Sequence, residues 1–358
     1  MILVTSSSFR GRDHIKGNTV CQDANFAKEI AGDWHVVATA DGLGSCGKSD
    51  IGSKIAVETA AAVCVKAFPL EGDETAILAL LRTAFNCALA EIKRTADKNG
   101  DPLSIYDTTL DVVIFNGSNK VYYGHSGDGG IFVLNGDGKY KEITKTQEYE
   151  DANSVKPLRA GNEIWEFGVY RDEIAVIGLF TDGIRDKIAL HELEDSEEPV
   201  YVPLANKFMF IDVCGLSENE AEDVFRNTIE TAVKYLHSPE CEITDDMTMG
   251  ILVNTNVPIL NDPAEGYTEP EWPEITKKVV DELYPGLDNL SKWRQFMIQV
   301  TYHSGRFSSL TKEELFSVLK KYYPVSDAEL KAADMDAYYE KRLGGKPSAP
   351  AQETPAAE

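Results

Sequence analysis

The chain is poor in the features that mark several common classes. Its six cysteines are scattered, and no two stand as C-x-x-C, which excludes a zinc ribbon and a thioredoxin-like redox motif. None sits in a C-x5-R phosphate-binding loop, which disfavours a cysteine-dependent phosphatase. No apolar run approaches the roughly 18 to 20 residues of a membrane span, and the opening "MILVTSSSFRGRD" has too short an apolar run for a signal peptide. Basic residues are scarce, 35 against 59 acids, for a formal net charge of -24. Nucleic-acid binding through phosphates needs clustered Lys and Arg and is not expected. We find no internal repeat. The expectation is a cytoplasmic protein with reduced cysteines, no membrane association and no nucleic-acid partner.

What is present is acid at particular places. After Val257 there are 17 acids and 12 bases, leaving 42 acids against 23 bases before it. "HVVATAD" (His35 to Asp41) is a short apolar run ending in turn residues, which predicts a buried strand. Ser49 to Phe68 is Ala-rich and helical in character. Ile77, Leu81, Phe85, Ala88 and Ile92 recur at helical spacing and predict a helix over Thr75 to Lys98. The turn signals Asn116-Gly117 and Asn135-Gly136 lie between β-branched and aromatic runs, as in an antiparallel meander. "IAVIGLFTDG" predicts a strand ending at an acid. Leu216 to Leu236 predicts a helix with the capping box Ser217 and Glu220, and "DDMTMGILV" a last strand. This is an α+β layered domain over residues 1–257. A Pro-, Gly- and acid-rich linker follows at 258–272. Then comes a helical extension at 273–343, with an aromatic stripe (Trp293, Phe296, Tyr302) and capping boxes at Thr311/Glu314 and Ser326/Glu329, and a disordered tail at 344–358.

Two chemistries compete for the segment "TADGLGSCGKSD". Gly42 to Ser49 spells G-x-x-x-x-G-K-S, the pattern of a P-loop, with a strand before it and a helix after it. "IAVIGLFTD" can pass for a Walker B strand ending at Asp182. Against a P-loop NTPase, Asp41 would put negative charge at the mouth of a phosphate cradle. The hairpin signals also oppose a mostly parallel sheet. The other reading uses every acid. Asp23, Asp41, Asp128, Asp182 and Asp245 all fall at strand ends, several beside glycine. Clustered carboxylates are tolerable only when cations neutralise them, and all-oxygen ligation selects Mg²⁺ or Mn²⁺ over zinc.

The order of these acids carries a resemblance. "CQDANFA", "ADGLGSCGKSDIGSKIAVE", "DTTLDVVIF", "GHSGDGGIFVL", "FTDGIRD" and "ITDDMTMGILV" resemble the successive motifs of the metal-dependent serine/threonine protein phosphatases of type 2C, in bacterial form, from about Phe9 to Val253. The resemblance implies an antiparallel β-sandwich flanked by helices, in α-β-β-α layers, followed here by a small all-α C-terminal region. It implies hydrolysis of phosphoserine and phosphothreonine on proteins by a metal-activated water at a binuclear Mn/Mg centre, with no protein nucleophile. The partner is then a phosphorylated protein substrate, with a cognate Ser/Thr kinase or its targets. In this resemblance Asp41 bridges two ions and the Gly42 carbonyl is a backbone ligand. Asp182 and Asp245 hold the other ion, and Asp23 binds directly or through water. Asp128 with Asp182 holds a third ion. Thr109 is structural, while Asp246 and Thr248 orient the centre.

The chain also departs from the pattern. The arginine that many members carry four residues before the Gln22-Asp23 pair is Asn18 here. Arg10, Arg12, His14 and Lys16 lie nearby as candidates to contact phosphate in its place, His14 also as proton donor. The histidine that animal members place after the bridging Asp-Gly is Leu43. Such departures also suit a catalytically weak phosphoprotein-binding pseudophosphatase. The segment between Asp128 and Asp182 corresponds to a variable flap, and the helical extension has no resemblance of its own.

Overall fold

The computed structural model describes residues 1–268, except 150–154, 191–192, 194–198, 239–240, 242 and 266. In chain order the elements are β1 (Ile2–Phe9), α1 (Arg12–Gly17), β2 (Ala24–Glu29), β3 (His35–Ala40), α2 (Ser49–Lys66), α3 (Glu74–Asn99), β4 (Leu110–Phe115), β5 (Lys120–Ser126), β6 (Gly130–Asn135), β7 (Tyr140–Glu142), β8 (Glu166–Arg171), β9 (Ile174–Phe180), α4 (Asp182–Ile188), α5 (Val202–Met209), α6 (Glu218–Leu236) and β10 (Met247–Asn254). The expected helical extension and tail lie outside the described residues.

The strands form two five-stranded antiparallel sheets, ordered β1-β10-β9-β6-β7 and β2-β3-β4-β5-β8. Burial on both faces explains the unbroken apolar runs. In β3, Val36, Ala38 and Ala40 pack under α2 and α3, while Val37 points into the space between the sheets. In β10, Met249, Ile251 and Val253 meet the layer of α4, α5 and α6, and Leu252 points inward. Four layers result, helices outside and sheets inside, as expected.

The helices follow their sequence signals. Asp73 caps α3, its Oδ1 accepting from the Ala76 N–H at 3.0 Å. The helix closes at Gly100 in the left-handed conformation (φ 70°). Its stripe of Ile77, Leu81, Phe85, Ala88 and Ile92 is buried on the sheet, each full-sized side chain worth about 1.5–3 kcal/mol of apolar burial. By length and composition α3 is also apolar enough to cross a membrane, but here that stripe forms the core. The Ser217/Glu220 capping box opens α6.

One expectation needs correction. The run from β4 to β7 is not one meander. Asn116-Gly117 does join a hairpin within one sheet, and Asn135-Gly136 lies in the hairpin of the other. Between them, Gly127 to Gly129 carry the chain from one sheet to the next. The glycine-rich turn at Asp128 resembles a hairpin turn locally, but Gly127 has φ +122° and packs against Thr109, a conformation suited to a sheet crossing.

After Asn256, the described residues lie along the β6-β7 hairpin, where the Leu260 N–H donates to the Gly136 carbonyl at 2.8 Å. The first unit runs to Thr268.

Candidate metal centre

Register brings the acids together. In one sheet Ala24 faces Ala40 and Leu110 faces Ser126. In the other Gly130 faces Phe180, which faces Met249. The start of β2, the end of β3, the turn after β5, the end of β9 and the start of β10 therefore share one end of the sandwich. Asp23, Asp41, Asp128, Asp182 and Asp245 sit in those five places.

Neighbouring groups fix several of them. Thr108 Oγ1 and the Thr109 N–H donate to the Asp41 carbonyl at 2.7 and 2.8 Å, and the Asp41 N–H donates to Thr109 Oγ1. Thr109 thus takes the structural role expected of it. Thr181 Oγ1 donates to Asp23 Oδ2 at 2.8 Å, and Thr181 Oγ1 in turn accepts from the Thr248 N–H. Asp182 opens α4, and Asp245 Oδ1 accepts from the Asp246 N–H at 2.8 Å. Gly42 donates to the Gln22 carbonyl at 3.1 Å and bridges to Thr108. A Cβ at Gly42 would lie 2.6 Å from the Ser49 backbone, so only glycine fits this approach.

The electrostatics are those of a set of unneutralised carboxylates. Burial, and then the charge of Asp182, push Asp23 up to about 7, while its contact with Asp41 works the other way. Burial, Asp186 and Glu148 push Asp128 up to about 7, against the pull of Arg185. Asp41 is raised well above the carboxylate range by burial and by Asp23, Asp128 and Asp245. Asp182 is raised by burial and by Asp41, Asp128, Asp245 and Asp186. Every one of the five acts on at least one other. Asp23 Oδ1 and Asp128 Oδ1 are buried with no hydrogen-bond partner.

These residues fit a hard divalent cation. The donors are oxygen only, and two buried carboxylate oxygens lack a partner that a cation would supply. Among the described residues no three His, Cys, Asp or Glu side chains are preassembled around one point. A hydrated Mg²⁺ or Mn²⁺ does not need such a set, since it takes only one or two carboxylates directly and keeps water for the rest. A closed thiolate or imidazole cage is the opposite arrangement.

The structure separates the basic candidates. His14 Nδ1 lies 2.8 Å from Asp246 Oδ2. Arg12 instead places its guanidinium on the Ser238 carbonyl. Lys16 is exposed and sits 3.4 Å from Asp13. Sequence reasoning gave no role to Asp186, although it lies inside the quoted motif "FTDGIRD". It stands one helical turn beyond Asp182, on a helix that the strand reading of this segment did not anticipate.

Half of the backbone N–H groups in the P-loop spelling are already taken within the chain. The N–H groups of Gly42, Leu43, Cys46 and Lys48 donate to the carbonyls of Gln22, Asp107, Leu43 and Ile105. The Lys48 ammonium is paired with Asp101, and Ser49 Oγ accepts from Gln22 Nε2 at 2.6 Å. The thiol of Cys21, beside Asp23 and Asp246, is pushed up to about 12 by burial and by those acids, which makes it a poor nucleophile.

The fold has counterparts among known proteins. A bacterial serine phosphatase of known structure superimposes with a TM-score of 0.50 at 14% identity, over 71% of this chain and 97% of its own. The catalytic domain of the serine threonine protein phosphatase PstP, solved in complex with two manganese ions, gives 0.47 at 16% identity, over 70% and 97%. PppA, a regulatory component of T6SS in Pseudomonas aeruginosa, gives 0.47 at 18% identity, over 70% and 97%. Comparison with curated proteins gives no sequence match. The sequence model of Protein phosphatase 2C matches residues 10–218, more than half of the chain. The chain belongs to the protein phosphatase 2C family, the metal-dependent protein serine/threonine phosphatases.

Proposed function

We propose that this chain hydrolyses phosphoserine and phosphothreonine monoesters on proteins with two Mn²⁺ or Mg²⁺ ions, and a third bound more weakly. Asp41, the Gly42 carbonyl, Asp182 and Asp245 would hold the principal pair, Asp23 would join directly or through water, and Asp128 with Asp182 would hold the third. When bound, the ions supply Lewis-acid neutralisation of the phosphoryl oxygens and acidify water at neutral pH.

The chain's own residues prepare that chemistry. Thr108 and Thr109 fix the Asp41 backbone, and Thr181 fixes one oxygen of Asp23 while leaving the other free. The acids exclude a phosphate monoester from the bare site by repulsion, so substrate and cation binding are coupled. The partner is a phosphorylated protein, and by extension the Ser/Thr kinase that makes it.

One observation carries the proposal. Five aspartates from five separate chain segments lie at one end of the sandwich, four of them held above the ordinary carboxylate range by burial and by one another or by neighbouring acids. The experiment is a Mn²⁺ titration of phosphothreonine-peptide hydrolysis. Activity should rise with Mn²⁺, stop with chelator and be lost in Asp41→Asn and Asp182→Asn. Turnover that survives chelator or either substitution refutes the proposal, and peptide binding without turnover at saturating Mn²⁺ identifies a pseudophosphatase instead.

A further inference from the structure

The place of the missing arginine is occupied by a helix end. Asn18 is the one non-glycine residue among those described with a positive φ (53°), and it terminates α1. The N–H groups of Asn18 and Thr19 donate to the carbonyls of Ile15 and His14. Position 18 turns the chain at the end of the helix. What reaches the centre is α1 itself. The Gly11 N–H donates to Asp246 Oδ1 at 2.7 Å and the Asp13 N–H to the Thr244 carbonyl at 3.0 Å. Gly11 approaches so closely that a Cβ there would lie 2.2 Å from the Asp245 carbonyl carbon.

Of the basic side chains on this helix, Arg12 and Lys16 are turned to other partners, and only His14 faces the acids. Its Nδ1 stands 2.8 Å from Asp246 Oδ2, a close contact without the in-line N–H of a full hydrogen bond. Asp246 is 2% exposed and is itself fixed by the N–H groups of Gly11 and Gln22, at 2.7 and 2.6 Å. The His14 side chain is 19% exposed, and no hydrogen bond among the described residues engages its Nε2. A carboxylate at one ring nitrogen sets the orientation of the imidazole and leaves the other nitrogen for proton exchange.

We infer that His14, oriented by Asp246, donates the proton to the serine or threonine oxygen that leaves phosphorus. The inference rests on the phosphatase reading above. Leu43, next to the Asp41-Gly42 pair, has no proton to give, and an alkoxide is a poor leaving group. In the step, a water oxygen bonds to phosphorus while the bond from phosphorus to the side-chain oxygen breaks. The electron pair of the broken bond stays on the leaving oxygen, which takes the Nε2 proton and departs as a hydroxyl. The proton lost by the water goes to solvent, which also recharges the imidazole. Asp246 is then a positioning residue and His14 the group that meets substrate.

The test compares two leaving groups with Mn²⁺ present: a phosphothreonine peptide, which needs a proton, and p-nitrophenyl phosphate, whose phenolate departs without one. In His14→Asn, kcat for the peptide should fall on the order of 100-fold, and for the nitrophenyl ester by less than about tenfold. Asp246→Asn should show the same selectivity with a smaller loss, and His14→Gln provides a second variant should the first fold poorly. Manganese affinity of His14→Asn, measured by calorimetry, should match the wild type, because His14 is not a cation ligand. Equal losses on both substrates, or a loss confined to KM, would make His14 a phosphate grip or a structural link and overturn the inference. A wild-type protein inert to both substrates overturns the phosphatase reading itself, and a selective loss in an active enzyme cannot arise that way.

Discussion

Stripping the cations should make this protein less stable as pH rises through the neutral range, the reverse of ordinary acid denaturation. Asp23 and Asp128 hold their protons up to about pH 7 in the folded chain, against 3.8 for the ordinary side chain. The main cause in both is burial, and neighbouring acids add to it. Between those values the folded state binds protons that the unfolded chain has released. The stabilising effect is complete below pH 4 and is lost as pH climbs through about 7. For one carboxyl the loss is on the order of 4 kcal/mol, and two groups together give a slope of about 3 kcal/mol per pH unit. Asp41 and Asp182 are shifted the same way and add to it. Manganese takes over the role of the protons. At about 100 times its dissociation constant it contributes roughly 2.7 kcal/mol, or roughly 5–10 °C in Tm for a domain of this size. The assay is calorimetric or fluorescence melting of chelator-stripped protein at pH 5.5, 6.5 and 7.5, with and without Mn²⁺. The metal-free Tm should fall over that range, and the manganese shift should be large at pH 7.5 and shrink at pH 5.5. Asp41→Asn should raise the metal-free Tm at pH 7.5 while removing much of the manganese shift and the activity. A metal-free Tm that rises from pH 5.5 to 7.5, or a manganese shift equal at both ends, would falsify the reasoning.

Two further substitutions divide the readings of the same short loop. Gly42→Ala puts a methyl group 2.6 Å from the Ser49 carbonyl and 2.7 Å from the Gln22 carbonyl; the overpacking should cost about 3 kcal/mol, lower Tm by roughly 6–12 °C, and depress Mn²⁺-dependent turnover even below the melting range. Lys48→Ala, by contrast, removes an ion pair to Asp101 and a cation–π contact with Tyr106, neither of which involves the five aspartates, so turnover of phosphothreonine peptide should match wild type and no ATPase activity should appear or vanish; a loss of activity comparable to that of Asp41→Asn would restore the phosphate-cradle reading.

The elements most legible in the sequence are those whose signals are local. The stripe from Ile77 to Ile92 specifies α3, Ser217 and Glu220 specify the start of α6, and the two Asn-Gly pairs specify hairpins. What a local signal does not contain is which sheet a strand joins. Strands such as "HVVATA" and "IAVIGLF" are buried on both faces, so they lack the alternation that would separate an inward face from an outward one. In the sequence alone nothing separates the crossing at Asp128 from one more turn of the meander. The acids were legible as a group because each ends or begins a strand, but their convergence depends on contacts between segments more than two hundred residues apart, as between Gly11 and Asp246.

The least legible element is α1, and it is the one on which the substrate end of the chemistry turns. "RDHIKG" has six residues, no apolar stripe and no capping side chain, with Gly11 before it and Asn18 after it. In isolation such a segment is too short to pay the cost of nucleating a helix. It exists because Asp246 and the Thr244 carbonyl accept its first N–H groups and because Gly11 leaves room for the Asp245 backbone. The acid that builds the helix is thus the acid that orients His14. Replacing Asp246 removes both the anchor of α1 and the partner of the imidazole, while replacing His14 removes only the second. A larger loss of stability in Asp246→Ala than in His14→Ala, together with the same substrate selectivity in both, follows from that shared dependence. The order of the two stabilities reversed would mean that α1 stands on contacts other than the Asp246 carboxylate.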